Sequence, residues 1–320
     1  MLSQSKIVNN NPERVINMDI RTDLAVEAAS MKGEKVGGIE SFSEEDNGIK
    51  IERIRITDDS AARAVGKPMG NYITITAKDL SENSREEYEK ACLCVAKELK
   101  SILNIEESAS VLVIGLGNEQ ITADSIGPES VKRLLVTRHI KELMPDEIDE
   151  SVRSVSALAP SVMAFTGIET SCIVKGVIEK TKPDLVIAID ALASRSMSRL
   201  GKTIQIADTG INPGSGVGNN RKELSEKTLG VRVIALGVPM VVDAVTVALD
   251  ALDATGSSED EKRVFFEAYR RMEPLGADMV VTPKDVDSLA KRSSMIIANG
   301  INLALQSALG EEDIDRYSMV

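Results

Sequence analysis

The chain has 320 residues, 42% of them hydrophobic and 28% charged, with 2% aromatic and no Trp. That balance excludes a disordered or fibrous chain and leaves Val, Ile, Leu, Ala and Met to build the core. A formal net charge of -12, with no Lys/Arg stripe interleaved with aromatics, excludes direct binding to nucleic acid, and no uncharged run is long enough to span a membrane.

The first two dozen residues, with Asn9-Asn10-Asn11-Pro12 among them, are polar, lack periodicity and carry no apolar signal core, so they read as a leader on a cytoplasmic protein. Residues 49–57 (IKIERIRIT) and 72–77 (YITITA) alternate apolar with polar, the period of half-buried strands, and predict a hairpin or an edge. An amphipathic helix follows over 84–103, capped by Asn83 or Ser84, with acids in its first turn. Cys92 and Cys94 fall inside it, where side chains two apart diverge, so they read as buried helix cysteines and not as a metal pair. Three cysteines without a secretory signal predict reduced thiols and no disulfide.

The texture then changes. Residues 111–114 (VLVI), 185–189 (LVIAI) and 231–236 (VRVIAL) are short apolar runs, each followed by a helical stretch, which is the pattern of βα units around a parallel sheet. Helices are expected over 129–143, 168–181, 241–252 and 286–309, and 256–262 (GSSEDEK) as a charged surface connection. The predicted fold is α/β: a doubly wound, mostly parallel sheet flanked by helices, with an N-terminal β-rich extension.

Ligands and catalytic groups in such sheets gather beyond the carboxyl ends of the strands. The loops there are 115–128 (GLGNEQITADSIGP), 190–195 (DALASR) and 208–219 (DTGINPGSGVGN), the last after a strand-like 203–207. Gly115-x-Gly117 opens like a dinucleotide fingerprint, but Gln120 stands where a third Gly is needed, and 214–218 lacks the Lys-Ser/Thr ending of a phosphate loop. Asn118, Glu119, Asp208, Gly214 and Gly216 are the candidates in these loops for supporting or binding substrate.

Asp124 and Asp190 each follow an expected core strand and share a sheet edge if those strands are neighbours. Two close carboxylates cannot both ionise easily, so one can protonate while its partner activates water, which suffices for peptide hydrolysis. The competing reading makes Asp124 a helix cap and Asp190 a strand-end brace. His139, beside Arg138 in an expected helix, reads as a surface residue; Cys172, in an apolar helical stretch, reads as buried and inert; Ser194, Ser196 and Ser198 lack a nucleophile elbow.

Residues 113–140 (VIGLGNEQITADSIGPESVKRLLVTRHI), the stretch from Ser156 through Ser196 and residues 204–246 resemble the germination protease, or spore protease, family. The resemblance runs from about Ile20 to Asp250 and returns near 281–287 (VTPKDVD). It implies a phosphorylase/hydrolase-like α/β peptidase, related to the hydrogenase maturation proteases, that degrades small acid-soluble spore proteins at germination. It also implies catalytic aspartates at Asp124 and Asp190, and a zymogen cut between Asp23 and Leu24, in an acidic, apolar, Ala sequence. The leader is then 1–23 and the peptidase domain 24–320. A homotetramer in the forespore or spore core, with no membrane or nucleic-acid partner, completes that expectation.

With one His and no H-E-x-x-H, a tight zinc site is not expected and no cofactor is assigned, although a weakly held ion on the carboxylates stays open. The chain departs from the family after Asp250, where relatives carry a longer insertion. Two other functions remain: a metal-assisted maturation protease for another protein, and a binding module without turnover.

Overall fold

The structure, a computed structural model, describes residues 22–32, 37–78, 80, 84–214, 221–272 and 279–306. Its N-terminal third runs α1 (Ala25–Lys32), β1 (Ile39–Asp46), β2 (Ile49–Ile56), α2 (Asp59–Val65), β3 (Gly70–Thr76) and α3 (Arg85–Leu103). The middle runs β4 (Val111–Gly115), α4 (Ile126–Val131), α5 (Arg138–Leu143), β5 (Val155–Leu158), α6 (Met163–Thr166), α7 (Thr170–Thr181) and β6 (Leu185–Ser194). The last part runs β7 (Thr203–Ala207), α8 (Glu226–Leu229), β8 (Val233–Asp243), α9 (Ala244–Ala254), α10 (Glu259–Met272), β9 (Val280–Val281) and α11 (Val286–Leu305).

Among the described residues the strands join one nine-stranded sheet in the order β1-β2-β3-β7-β8-β6-β4-β5, with β9 paired to β8. The ladders between β5, β4, β6 and β8 are parallel; those from β8 through β7 and β3 to β1 are antiparallel, as is β8 with β9. The N-terminal β-rich extension therefore continues the main sheet. β2 and β3 pair antiparallel, but α2 separates them and β1 forms the edge.

Side-chain alternation sorts each strand between two layers. Odd-numbered residues of β6 (Leu185, Ile187, Ile189) pack with α3 and α11, and even-numbered ones (Val186, Ala188) pack with Val174 of α7 and Leu229 of α8. On that second face, Leu192 and Ala207 meet Leu24 and Ala25 from the start of α1. Among the described residues no helix is long and apolar enough to cross a membrane.

Several sequence expectations need correction. The helix expected over 129–143 is two short helices: Asn302 of α11 accepts from Leu135 N (3.0 Å) and donates to Arg133 O (3.1 Å), taking up backbone groups that a continuous helix would pair internally. The helix expected from 241 begins at Ala244, because Val241 and Val242 complete β8 and Asp243 caps α9 by accepting from Val245 N (3.1 Å). The connection over 256–262 already contains the first turn of α10. The final helix ends at Leu305, and residues 307–309 lie outside the described residues. Cys172 is exposed, not buried, because it lies on the outer side of α7, whereas Val174 on the inner side is fully buried.

Candidate active site

The site grows from the unequal lengths of two neighbouring parallel strands. β4 ends at Gly115, opposite Ile189, so Asp190 is the first β6 residue to pass the end of β4. Asp190 lies inside a ten-residue strand, and not in a loop as the sequence suggests, because β8 pairs with β6 as far as Ser194. Its side chain projects to the α7 face, into the gap that β4 leaves, and it remains 5% exposed.

The chain leaving β4 folds Asp124 back into the same gap. Gly117 adopts φ +110°, and a Cβ there would stand 2.1 Å from Asp124 O, so only glycine permits the close approach. Asn118 N then donates to both Asp124 O (3.0 Å) and Asp124 Oδ2 (2.9 Å). This contact fixes the carboxylate across its own loop; α4 has no side-chain cap.

The two aspartates line a crevice of about 270 Å³ together with Asp23, Gly214 and Arg221. Leu116, Ile121, Val162 and Val241 give it apolar walls. Burial pushes the Asp124 carboxyl up to about 6, against the opposing pull of the Asn118 N–H and of Arg221. Asp190 is raised well above the ordinary carboxylate range, first by burial and then by the charges of Asp124 and Asp23, with the Ala191 N–H and Arg221 opposing. Such a pair can hold one proton and one negative charge at neutral pH, which is general acid and general base in one crevice.

The other sequence candidates scatter. Asn118 is buried and works within the loop, its Oδ1 accepting from Gln120 N (2.9 Å). Glu119 points outward to Lys132. Asp208 accepts from Asn71 N (2.8 Å) and Nδ2 (2.6 Å), tying the end of β7 to β3. Gly214 lines the crevice, and Gly216 lies outside the described residues. Asp23 reaches the crevice and Leu24 is fully buried beside it.

Three groups escaped the sequence reading. Arg221 faces both aspartates, and its Nη1 is buried with no partner among the described residues. The one sequence signal for it is a cation directly after a Gly/Asn-rich stretch. Ala193 holds Asp23 through its main chain: Asp23 N donates to Ala193 O (2.9 Å) and Ala193 N donates to Asp23 Oδ2 (2.8 Å). Gln205 meets the backbone on both sides of Leu24, accepting from Ala25 N (2.7 Å) and donating to Asp23 O (3.0 Å). Main-chain recognition leaves no side-chain signature in a sequence.

Among the described residues no three His, Cys, Asp or Glu side chains converge as metal ligands. Burial and Glu98 push the Cys94 thiol up to about 12, away from nucleophilic use.

The germination protease family model matches residues 17–256 and 254–318. A germination protease of Clostridium tetani is 43% identical over 321 residues, covering 94% of this chain and 99% of that one. A germination protease of Bacillus subtilis is 42% identical over 358 residues, covering 93% and 96%. Among solved structures, a [NiFe] hydrogenase maturation protease, HycI from Thermococcus kodakarensis, aligns with 64% of this chain and 98% of its own at 17% identity. Its TM-score of 0.32 is too low to carry an argument.

Proposed function

The chain belongs to the germination protease family, and we propose that it hydrolyses peptide bonds with Asp124 and Asp190 after first cutting itself between Asp23 and Leu24. It is an endopeptidase of spore germination acting on spore proteins. The observation that carries the two-aspartate reading is the buried Asp190 facing Asp124 in a crevice that also holds Asp23.

In this reading Asp190 keeps its proton because burial and two neighbouring carboxylates oppose its charge. Asp124, ionised above about pH 6, takes a proton from water as the water oxygen adds to the peptide carbon. Asp190 protonates the leaving nitrogen as the C–N bond breaks, leaving a new carboxyl on one side and an amine on the other. Arg221 balances the charge that develops between them.

Self-cleavage at Asp23-Leu24 is supported by where these residues sit: Asp23 in the crevice, held by Ala193, and Leu24 and Ala25 buried beyond it. Asp23 thereby takes up one wall of the crevice, and in this reading that is how the leader keeps the uncut chain inactive towards other substrates. The same acidic, apolar, Ala order points to small acid-soluble spore proteins as substrates. The remaining parts of the reading are a catalytic pair without a resident metal, a homotetramer and a place in the spore core.

The test is cleavage of a small acid-soluble spore protein by the chain lacking residues 1–23, as wild type, Asp124→Asn and Asp190→Asn, each with and without EDTA. Each substitution should lower kcat at least ~10³-fold, and EDTA should change nothing. Inhibition by EDTA with recovery on adding a metal makes the aspartates ligands, and active variants remove them from the chemistry.

A further inference from the structure

We infer that Gln205 is a catalytic residue of the self-cleavage: its side-chain amide polarises the carbonyl of Asp23 and stabilises the oxyanion formed there. The inference rests on the self-processing reading, because it takes the Asp23 carbonyl to be the one attacked.

The position of Gln205 is fixed by the register of three strands. Asp190 of β6 stands opposite Gly237 of β8, and Gly237 stands opposite Gln205 of β7. Residues in one row across a sheet project to the same face, so Asp190 and Gln205 flank Gly237 on the α7 side, ~10 Å apart across two strand spacings. Gly237 has no side chain of its own, which leaves room above it for a neighbouring side chain between the two. A Cβ there would come within 2.5 to 2.8 Å of the Leu192 side chain, which instead lies over the glycine and packs in one cluster with Leu24 and Ala25.

The Asp23-Leu24 bond is held beside Leu192 from both directions. Ala193 holds residue 23 through two hydrogen bonds, and Gln205 bridges the bond itself, with Oε1 on Ala25 N (2.7 Å) and Nε2 on Asp23 O (3.0 Å). The orientation of the amide follows from donor and acceptor logic. A backbone N–H can only donate, so the amide oxygen must face Ala25 and the NH₂ must face the Asp23 carbonyl. Gln205 is 8% exposed, so no bulk water competes strongly for that bond.

In the reaction, water oxygen bonds to the Asp23 carbonyl carbon and the C=O electron pair moves onto oxygen, where Gln205 Nε2 already donates. When that pair returns, the bond to Leu24 N breaks, the nitrogen takes the proton that Asp190 held while Asp124 keeps the one taken from the water, and the products are the Asp23 carboxyl and the Leu24 amine. The donor is aligned before charge develops, which is the condition under which one such group contributes ~10²- to 10³-fold to rate.

The experiment follows self-cleavage of the full chain by mass spectrometry for wild type, Gln205→Glu and Gln205→Met, with thermal melting to confirm that each variant folds. Gln205→Glu keeps an oxygen for Ala25 N but replaces the amide donor, whereas Gln205→Met removes both contacts. A catalytic role slows both variants at least ~10²-fold, with the product still beginning at Leu24. If Gln205→Glu cuts at close to the wild-type rate, the side chain only anchors Ala25 and the inference falls, whatever the methionine variant does. If the wild-type chain is cut at another bond, the self-processing reading falls first and takes this inference with it.

Discussion

Two buried carboxylates in two regions of the sheet show opposite solutions to one problem. Glu98, on α3 against the antiparallel extension, is 1% exposed and is gripped by Arg53 of β2 through Nη2 (2.7 Å) and Nε (3.0 Å). Arg53 also reaches Glu44 of β1 (2.8 Å), so strands and helix are joined through one guanidinium. Asp190, in the parallel region, is as deeply placed but among the described residues has only the Ala191 N–H (3.0 Å) as a direct hydrogen-bond partner, with Asp124 and Asp23 as neighbours. An acid neutralised by a fitted cation holds structure together. An acid packed among other acids raises the free energy of its charged form and stores a proton, which serves chemistry.

The sharpest way to break this comparison is to remove each charge and measure stability. Glu98→Gln leaves Arg53 half-desolvated without its bidentate partner and should destabilise the fold by about 2 kcal/mol, below the value for a fully buried pair because Arg53 retains solvent contact. Urea unfolding reads this directly. A variant as stable as wild type would mean that Glu98 is no more a structural acid than Asp190.

That asymmetry explains what a sequence reader can see. The alternation over 49–56 and the apolar runs at 111–114 and 185–189 report burial directly, so β2, β4 and β6 were legible as strands. Asp124 and Asp190 stood out because an acid next to an apolar run is costly without a reason. The break between α4 and α5 was not legible, since it depends on Asn302, more than 160 residues away. The row Asp190-Gly237-Gln205 was also invisible, because it exists only once β8 lies between β6 and β7. Local pattern reveals elements, and register between distant elements makes the site.

The second prediction sharpens the electrostatic half of the comparison. Asp124 is shifted up to about 6, so it is protonated below that pH and cannot take a proton from water. The kcat/KM for a spore-protein substrate should therefore rise about tenfold per pH unit up to roughly pH 6 and then level. Asp190, pushed well above the ordinary carboxylate range first by burial and then by Asp124 and Asp23, is the proton-holding partner in this reading. A profile already level at pH 4.5 would mean that no carboxyl near 6 governs the reaction.

The smallest effect concerns the cost of keeping Asp190 where it is. A carboxyl whose folded-state pKa lies above its unfolded value binds its proton more tightly in the native state. Its contribution to stability is therefore complete below the unfolded pKa, near 3.8, and is lost as pH rises towards the folded value. At pH 7 wild type bears that loss, whereas Asp190→Asn, which cannot ionise and still offers an oxygen to the Ala191 N–H, does not. The variant should melt above wild type at pH 7, and the two should converge near pH 4. Calorimetry at both pH values tests the sign. An inactive variant that is more stable only at neutral pH identifies Asp190 as an acid kept for chemistry at the expense of stability, whereas one destabilised at every pH makes it a structural brace like Glu98.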